Sequence, residues 1–475
     1  MQNKEIQVLS EVLLDGTILE TVYDVTTGET SLVVDRNGRY ETVPSYKDPV
    51  TNIEYKPYQD DDGLIKSKFV KLASTAIPYE SIQQLYQQIR DLIAEHMKLP
   101  EGFLSVSAIY VMSTWVYDRF HAMPYLRVVG NFGSGKSRFE QLMAGLCYKS
   151  MHAGGSISTA AVFRTLNLIQ GTLVFDETDF KSSEMHSDII KILNSGHSKD
   201  VPVVRMNVKK EGMTTQTFVV YGPKVLASRE RFKDEALESR CLTQTLLPIK
   251  TNKPVHLPPE FATQALVLRN KLLSFRLDNF HKIEADESTL GSIEFPRLKQ
   301  SALAVTSIAS LISKDVLAEI LHFLENYEKE LQTMQKTDIK ADVLLCILEL
   351  VAEWDQKSPH KIYIGQIAER FERKFYGDYS NHKDQYYESH SEGVITSRNY
   401  AVSPKQIGRY VRDLCIRTEH GGDGWSIRLP QAFEVINLQA ERFGFEKPWE
   451  IPNGQKKIPV DDNPDTEIKA EDIPF

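Results

Sequence analysis

The sequence predicts an α/β fold with a glycine-rich turn at its centre, a β-rich region before that turn and helices after it. Short β-like runs such as 6–9 and 31–34 are separated by the turn signals Asp15-Gly16 and Asn37-Gly38. Residues 125–146 read as a strand, a glycine-rich turn and a helix, and helical patterns dominate from about residue 258. The central region therefore predicts an α/β core.

The glycine-rich turn, GNFGSGKS, fills the fixed positions of the Walker A pattern, G-x-x-x-x-G-K-[ST]. The β-branched run 125–129 precedes it and the amphipathic run 138–146 follows it. In this setting glycine allows backbone N–H groups to converge on phosphate, and the helix N-terminus adds partial positive charge. We expect Lys136 to reach the β- and γ-phosphates and Ser137 to bind Mg²⁺. The predicted nucleotide-binding residues are Gly130, Asn131, Phe132, Gly133, Ser134, Gly135, Lys136 and Ser137.

A second motif, which is acidic, follows the Walker A helix, where the other half of a nucleotide-hydrolysing site is expected. The apolar run 171–175 reads as a strand and ends in Asp176 and Glu177. We expect Asp176 to hold Mg²⁺ through water and Glu177 to orient and deprotonate the attacking water. The alternative is a buried strand capped by two solvated acids. Because no Asn-Lys-x-Asp-like guanine reader follows, ATP is favoured over GTP as the nucleotide.

Length and composition limit the remaining possibilities. A chain of 475 residues predicts two to four domains with ample core. No run of 18 apolar residues and no leader pattern occurs in the sequence, so we expect a cytoplasmic protein without membrane contact. The four cysteines form no C-x-x-C pair, which indicates neither a zinc site nor a disulfide framework. The net charge of −9 argues against a protein that coats nucleic acid through its overall charge. It does not exclude a local basic surface that contacts phosphate.

Shifts of pattern along the chain predict its division into domains. A helical pattern from about Tyr79 to His96 and an apolar helix from Phe103 to Phe120 lead into the Walker A strand, and 303–331 reads as long helical stretches. The predicted parts are a small β-rich N-terminal domain (1–75), an ATPase core with leading helices (76–250), a helical lid or linker (251–337), a winged-helix domain (338–435) and a disordered acidic tail (436–475).

A β-hairpin is predicted between the acidic motif and the next core strand. Two β-like runs, 201–208 and 215–221, flank a Lys-Lys-Glu-Gly turn. Lys209 and Lys210 then lie at the tip, where they could contact nucleic acid. The alternative is an ordinary solvated charged turn.

This order of motifs resembles AAA+ ATPases of the pre-sensor-1 hairpin group, and within it the MCM-like helicases of phages and bacterial mobile elements. The residues that carry the resemblance are Walker A, the acidic motif, the hairpin, the strand 223–227 ending at Ser228, and the segment 236–241. The resemblance covers about residues 125–247. It implies a hexameric ring whose hairpins line a pore and contact single-stranded DNA.

The same resemblance implies roles for single polar residues. Ser228 matches the sensor-1 position, where many relatives have Asn, and would help to place the attacking water. Arg240 matches the arginine finger that stabilises the γ-phosphate charge at the neighbouring subunit's site; the alternative is a surface salt-bridge arginine. Arg297, at the start of a helix, is a candidate sensor-2 arginine. Arg205, in the first hairpin strand, is a weaker inter-subunit candidate.

The C-terminal region predicts a DNA-binding helix. Ser403 and a following proline are a helix start, and Lys405, Arg409 and Arg412 then share one helical face. An earlier helix and the Gly-rich turn 421–424 complete a winged-helix pattern, which would place the basic helix in a DNA groove. Winged helices also serve protein contacts, and a basic face is often only solvated.

The chain ends in a short motif of its own. Its last five residues, EDIPF, are similar to the acidic tip of bacterial single-stranded DNA-binding proteins. That resemblance implies that Ile473, Pro474 and Phe475 dock in an apolar pocket of host proteins that read such tips. Coincidence in a five-residue match is the alternative, and the tail could also fold back on the protein's own DNA-binding face.

Together these patterns favour an ATP-hydrolysing, Mg²⁺-dependent hexameric DNA helicase or translocase that replicates a phage or mobile element. Its expected partners are single-stranded and double-stranded DNA, further copies of the chain, and host proteins. One alternative is a replication initiator or helicase loader that switches on ATP without processive unwinding. Another is a protein-remodelling AAA+ ATPase.

Overall fold

The structure of the protein is a computed structural model that describes residues 5–36, 38–154, 157–176, 183–209, 212–232, 234–248, 253–254, 256–336, 339–354, 359–376 and 403–445. The chain divides into two compact units, Met1–Glu328 and Lys329–Phe475. No helix in the described ranges is long and apolar enough to cross a membrane.

The N-terminal region of the first unit consists of short strands. These are β1 (Glu5–Val8), β2 (Ser10–Val12), β3 (Ile18–Asp24), β4 (Glu29–Arg36), β5 (Arg39–Val43), β6 (Tyr46–Lys47), β7 (Glu54–Pro57) and β8 (Val70–Lys71). Strands β2 to β5 form an antiparallel meander, and β1, β7 and β6 form a second sheet in which β1 and β7 are parallel. Asp15-Gly16 and the Gly38 turn lie between these strands, as the turn chemistry predicts.

The meander is fastened to the rest of the first unit by a buried ion pair. Glu20 on β3 accepts from Arg276 at 2.7 Å and from the Tyr148 hydroxyl at 2.8 Å. Arg276 also forms a bidentate pair with Asp118. Because a buried charge is costly unless it is paired, this network fixes the meander in place.

The central sheet carries the motifs. Its remaining strands are β9 (Tyr125–Val129), β10 (Ser150–Ala153), β11 (Leu173–Asp176), β14 (Lys224–Ser228) and β15 (Cys241–Thr245), and its order is β15-β9-β14-β11-β10-β8. All pairs are parallel except that of β8 with β10. Strands β9 and β14 are buried along their full length, as expected of parallel strands covered on both faces. The hairpin strands β12 (Val203–Lys209) and β13 (Gly212–Phe218) pair only with each other.

Helices cover this sheet and extend from it. They are α1 (Ile82–His96), α2 (Glu101–Thr114), α3 (Lys136–Leu146), α4 (Thr159–Ile169), α5 (Ser183–Ser195), α6 (Glu235–Glu238), α7 (Pro259–Asn279), α8 (Pro296–Ile312) and α9 (Lys314–Lys336), within which the boundary of the two units falls. Helix α2 is buried on all sides from Phe103 to Thr114, so it belongs to the core.

The second unit has its own core. It contains α10 (Ile339–Ala352), β16 (His360–Tyr363), α11 (Ile364–Tyr376), α12 (Pro404–Asp413), β17 (Glu419–Gly421), β18 (Gly424–Leu429) and α13 (Phe433–Arg442). The strands form an antiparallel sheet in the order β16-β18-β17. Apolar side chains from all these helices pack into one cluster with Ile362, Ile427 and Leu429 of the strands.

Several predicted element bounds were wrong, each for a local reason. The helix predicted from Tyr79 begins at Ile82, because Ser81 caps it. The helix predicted to reach Phe120 ends at Thr114, and a 3₁₀ turn covers Tyr117–Arg119. The helical stretch 303–331 is broken at Ser313, whose extended backbone and hydroxyl cap α9. The second hairpin strand, predicted to reach Tyr221, ends at Phe218.

Candidate nucleotide site and its distant cations

The Walker A turn has the backbone that its glycines predict. Gly133 and Gly135 take φ angles of +78° and +95°, in the region that glycine tolerates best. Gly130 is needed for a different reason: a Cβ there would lie 2.5 Å from the Ser134 Oγ and 2.6 Å from the Leu246 carbonyl oxygen. The turn leads directly into the N-terminus of α3, whose N–H groups suit an anion.

The side chains of the turn also suit phosphate. Lys136 Nζ donates to the carbonyl oxygens of Gly130 at 2.6 Å and Asn131 at 3.2 Å, so it already lies over the loop. The Ser134 hydroxyl is buried and has no hydrogen-bond partner among the described residues. Ser137 is exposed at the start of α3, and Phe132 is 93% exposed at the tip of the loop. This cradle fits a nucleotide's phosphates.

The acidic motif and the sensor position lie at the same edge of the sheet as this cradle. Asp176 is the last residue of β11, and β14 lies between β11 and β9. Ser228 ends β14, where its carbonyl accepts from the Gly130 N–H at 3.2 Å and its hydroxyl donates to the Glu230 carbonyl at 2.7 Å. Parallel strands bring their carboxyl ends together, so Asp176 and Ser228 lie near the loop. Glu177 lies outside the described residues.

Two residues at this edge of the sheet, Ser137 and Asp176, could hold Mg²⁺. Ser137 offers a hydroxyl and Asp176 a carboxylate, the oxygen ligands that Mg²⁺ prefers. No cluster of three or more His, Cys, Asp or Glu side chains suited to a metal occurs in the described ranges. This donor set fits a Mg²⁺ that is also held by phosphate oxygens and water.

Arg240 lies at the opposite edge of the same sheet. Its carbonyl accepts from the N–H of Tyr125, the first residue of β9, at 2.9 Å, and it directly precedes β15, which runs parallel to β9. The cradle begins after the last residue of β9, five residues further on. At about 3.3 Å per residue that separation is roughly 16 Å. Arg240 therefore does not reach the Walker A turn of its own chain.

A second arginine, Arg297, and an acid, Asp234, lie near Arg240. Burial, and then the charge of Arg297, lower the pKa of Arg240. Burial together with the charges of Arg240, Lys224 and Arg297 lowers the pKa of His197 to about 3. Lys224 is fully buried, which lowers its pKa to about 7, and its ammonium donates to three backbone carbonyls. Of these four basic groups, Arg240 and Arg297 therefore carry the full positive charges at neutral pH, because His197 is neutral and Lys224 is only partly protonated.

The structure places Arg297 with Arg240 rather than with the Walker A turn. Arg297 is half-buried in the first turn of α8 and donates to Gln300 at 3.3 Å. The candidate residues of the nucleotide site therefore separate into two groups, one at each edge of the sheet.

The hairpin residues are only partly described. Lys209 is the last residue of β12 and pairs with Gly212, whereas Lys210 lies outside the described residues. Arg205 is engaged within its own chain, since it pairs with Asp188 at 3.1 Å and stacks on Phe163 at 4.0 Å. Val204 and Met206 are 60% and 62% exposed on the other face of β12. Val204 and Met206 alternate with Arg205 in the sequence, but this alternation alone does not show which face of the strand is exposed.

Two basic helices of the second unit differ in how their charges are used. On α11, Arg370, Arg373 and Lys374 all pair with glutamates. On α12, Lys405, Arg409 and Arg412 are exposed and form no ion pair within the part of the chain that the structure describes. Ser403 caps α12 in a capping box with Gln406.

The β17–β18 turn, which follows α12 in the chain, adds an exposed aromatic residue that sequence analysis missed. Trp425 on β18 is 49% exposed, and its ring lies 5.1 Å from that of His420 on β17. Both residues flank the glycine turn that the sequence singled out, so their position was the available signal. Ile473, Pro474 and Phe475 lie outside the described residues.

Comparison with known proteins gives fold-level likenesses only. No family model and no curated protein matches the chain. A solved structure titled SCCmec type IV Cch, active helicase, is 12% identical, with 88% of this chain and 94% of that one covered and a TM-score of 0.39. The C-terminal region of NrS-1 is 11% identical over 86% and 96% of the chains, with a TM-score of 0.33. An MCM homologue from Methanopyrus kandleri is 9% identical over 63% and 68%, with a TM-score of 0.33. At these identities and TM-scores, no residue role or activity carries over.

Proposed function

We propose that the protein is an ATP-hydrolysing DNA helicase or translocase that works as a ring. Each nucleotide site of that ring is split between two neighbouring copies, one giving the Walker A turn and the other giving Arg240. The observation that supports this proposal is the separation of the Walker A cradle from Arg240 across one sheet. A cation that cannot reach its own nucleotide, and that lies near a second arginine, Arg297, suits the nucleotide of a neighbouring copy.

In this proposal the carboxyl edge of the sheet binds the nucleotide. The backbone of the loop and Lys136 hold the β- and γ-phosphates, while Ser137 and Asp176 hold Mg²⁺. The metal neutralises charge on the phosphates when bound. Glu177 orients and deprotonates the attacking water, and Ser228, at the end of the strand between the two motifs, helps to place that water.

The amino edge of the sheet serves the next subunit. Arg240 stabilises the charge that develops on the γ-phosphate of the neighbouring copy, and Arg297 assists it from α8. A closed ring follows naturally from such a head-to-tail contact, because one surface of each copy meets a different surface of the next. Six copies, as the AAA+ resemblance implies, are part of the proposal.

The DNA-contacting surfaces are proposed on two elements. The unpaired cations of α12 contact backbone phosphates of double-stranded DNA, and the β17–β18 turn acts as the wing of a winged helix. Lys209 and Lys210 at the hairpin tip contact single-stranded DNA in the ring's pore. The described chain has exposed, unpaired cations on α12 but paired ones on α11, which supports α12 as the DNA-facing helix.

The wider setting is also a proposal. We propose replication of a phage or mobile element by a β-rich region, ATPase core, lid, winged helix and tail. The predicted bounds change in two places: β8 (Val70–Lys71) joins the central sheet, and α13 (Phe433–Arg442), which the sequence assigned partly to the tail, packs in the core of the second unit. Ile473, Pro474 and Phe475 would recruit host proteins that read the tip of single-stranded DNA-binding proteins.

The test is ATP turnover with and without single-stranded DNA, with Glu177→Gln as the blank. A DNA motor predicts strong stimulation and an inactive blank. Slow turnover with ATP-dependent assembly would instead indicate an initiator or loader, and turnover indifferent to DNA a protein-remodelling ATPase.

A further inference from the structure

One side chain joins Arg240 to the helix that follows the acidic motif. Asn194, in the last turn of α5, accepts a hydrogen bond from Arg240 Nη1 through its Oδ1. Its Nδ2 donates to Asp234 Oδ2 at 3.2 Å. Asp234 Oδ1 in turn accepts from the N–H groups of Ala236 and Leu237 at 2.9 and 3.2 Å, which fixes the start of α6 just before Arg240.

The chemistry of this partner matters. An amide is neutral, so it orients the guanidinium without cancelling its charge. The carboxylate of Asp234 lies behind the amide and contacts it, so Asn194 stands between the acid and Arg240. Asp234 still attracts Arg240 electrostatically, but the guanidinium is not engaged in a direct bidentate pair with a carboxylate, and so its N–H groups can also reach an anion.

The helix end that carries Asn194 is held on both sides. The Leu193 carbonyl accepts from the Tyr125 hydroxyl at 2.6 Å, and the Gly196 carbonyl accepts from Lys224 Nζ at 3.1 Å. Lys224 Nζ also donates to the carbonyls of Val220 and Gly222, just after the hairpin. A side chain on such a fixed element can position its partner closely.

We propose that Asn194 is a positioning residue that presents Arg240 to the nucleotide of a neighbouring copy. The inference rests on the proposed function, since it assumes that Arg240 acts on that nucleotide. Helix α5 begins just beyond the acidic motif of its own site and is about 20 Å long at 1.5 Å per residue. Asn194 thus joins Arg240, which would act on a neighbouring copy's nucleotide, to the far end of the helix that follows Asp176 in its own chain.

The experiment compares Asn194→Ala with Asn326→Ala, an exposed α9 amide that hydrogen-bonds only His322 among the described residues. We expect Asn194→Ala to lower kcat by roughly ten- to a hundredfold, the range for misplacing a group by about 1 Å, with KM for ATP unchanged. Asn326→Ala should leave both parameters unchanged. The double variant with Arg240→Ala should be no slower than Arg240→Ala alone, because both remove one interaction.

Subunit mixing separates positioning from a folding defect. Asn194→Ala subunits keep an intact Walker A turn, so mixing them with Lys136→Ala subunits should raise turnover above the sum of the two. A misfolded subunit would supply no such site and would give no rise. Wild-type turnover in Asn194→Ala, with Arg240→Ala inactive, would overturn the inference alone. Wild-type turnover in Arg240→Ala would overturn the proposed function instead.

Discussion

The two edges of the central sheet differ in the kind of group that each carries. At the carboxyl edge, the phosphate cradle is made mostly of backbone, and its three glycines leave room or turn the chain. At the amino edge, the groups are side chains: the guanidinium groups of Arg240 and Arg297, beside the buried His197 and Lys224. Backbone can hold phosphate in place, whereas an arginine held by its own chain can be brought to that phosphate by a neighbouring copy. In the proposed function, these are the two halves of a site that neighbouring copies complete together.

Removing the cation of the amino edge should have the largest effect. We expect Arg240→Ala to lower ATP turnover by about 10³- to 10⁵-fold, the range known for arginine fingers, without changing ATP affinity. Steady-state turnover and equilibrium binding of a fluorescent ATP analogue measure the two quantities. A matching loss of affinity would mean that Arg240 acts on ground-state binding, and the contrast between the edges would fail.

At the carboxyl edge, a single methyl group should suffice to damage the cradle. Gly130→Ala puts a Cβ against Ser134 and the Leu246 carbonyl, so the loop must shift. We expect the dissociation constant for ATP to rise at least tenfold, about 1.4 kcal/mol. The control is Gly365→Ala on α11, where an added Cβ meets nothing within 4 Å. Equal affinity in both variants would show that phosphate does not use this loop.

The α11 and α12 helices offer a second comparison with a smaller effect. Each α12 phosphate contact that is lost should reduce the slope of log affinity against log salt by about 0.9 for double-stranded DNA. We expect Arg409→Ala and Arg412→Ala each to do so, while Arg373→Ala on α11 leaves the slope unchanged because Glu369 already pairs with it. Fluorescence anisotropy over a salt series measures the slopes. If the α11 and α12 variants changed the salt slope equally, α12 would not be distinguished from α11 as the DNA-facing helix.

The burial of His197 beside the cations of the amino edge should also appear as a modest pH dependence of stability. His197 has its pKa lowered to about 3, so between that value and its ordinary 6.5 the unfolded chain binds the extra proton. Stability should therefore fall by up to about 1.4 kcal/mol per pH unit as the pH drops below 6.5. Denaturant titrations at pH 6.5 and 5 should show a smaller loss for His197→Gln than for the parent chain. An equal loss would mean that other groups account for it.

Local motifs could be read from the sequence because their chemistry lies in neighbouring residues. The loop from Gly130 to Ser137 and the run ending in Asp176 specify a turn, a helix start and a strand end within a few positions. The hairpin pairing was predicted for the same reason, although its second strand was placed too late.

Contacts between distant parts of the chain could not be read in this way. Glu20 and Arg276 are 256 positions apart, and nothing local marks either as the partner of the other. Asn194 and Arg240 are 46 positions apart, and Asn194 is one polar residue among many at a helix end. Lys224 looked like an ordinary strand residue, yet three carbonyls surround its ammonium. Such roles depend on how the strands are ordered, which only the folded chain shows.

The most direct test of the split site is a mixture of two inactive variants. Lys136→Ala should lack nucleotide binding but keep Arg240, while Arg240→Ala keeps the cradle. If each nucleotide is completed by a neighbouring copy, mixing them should restore ATP turnover, with a maximum at intermediate ratios. Turnover that never exceeds the sum of the two separate variants at any ratio would contradict the account.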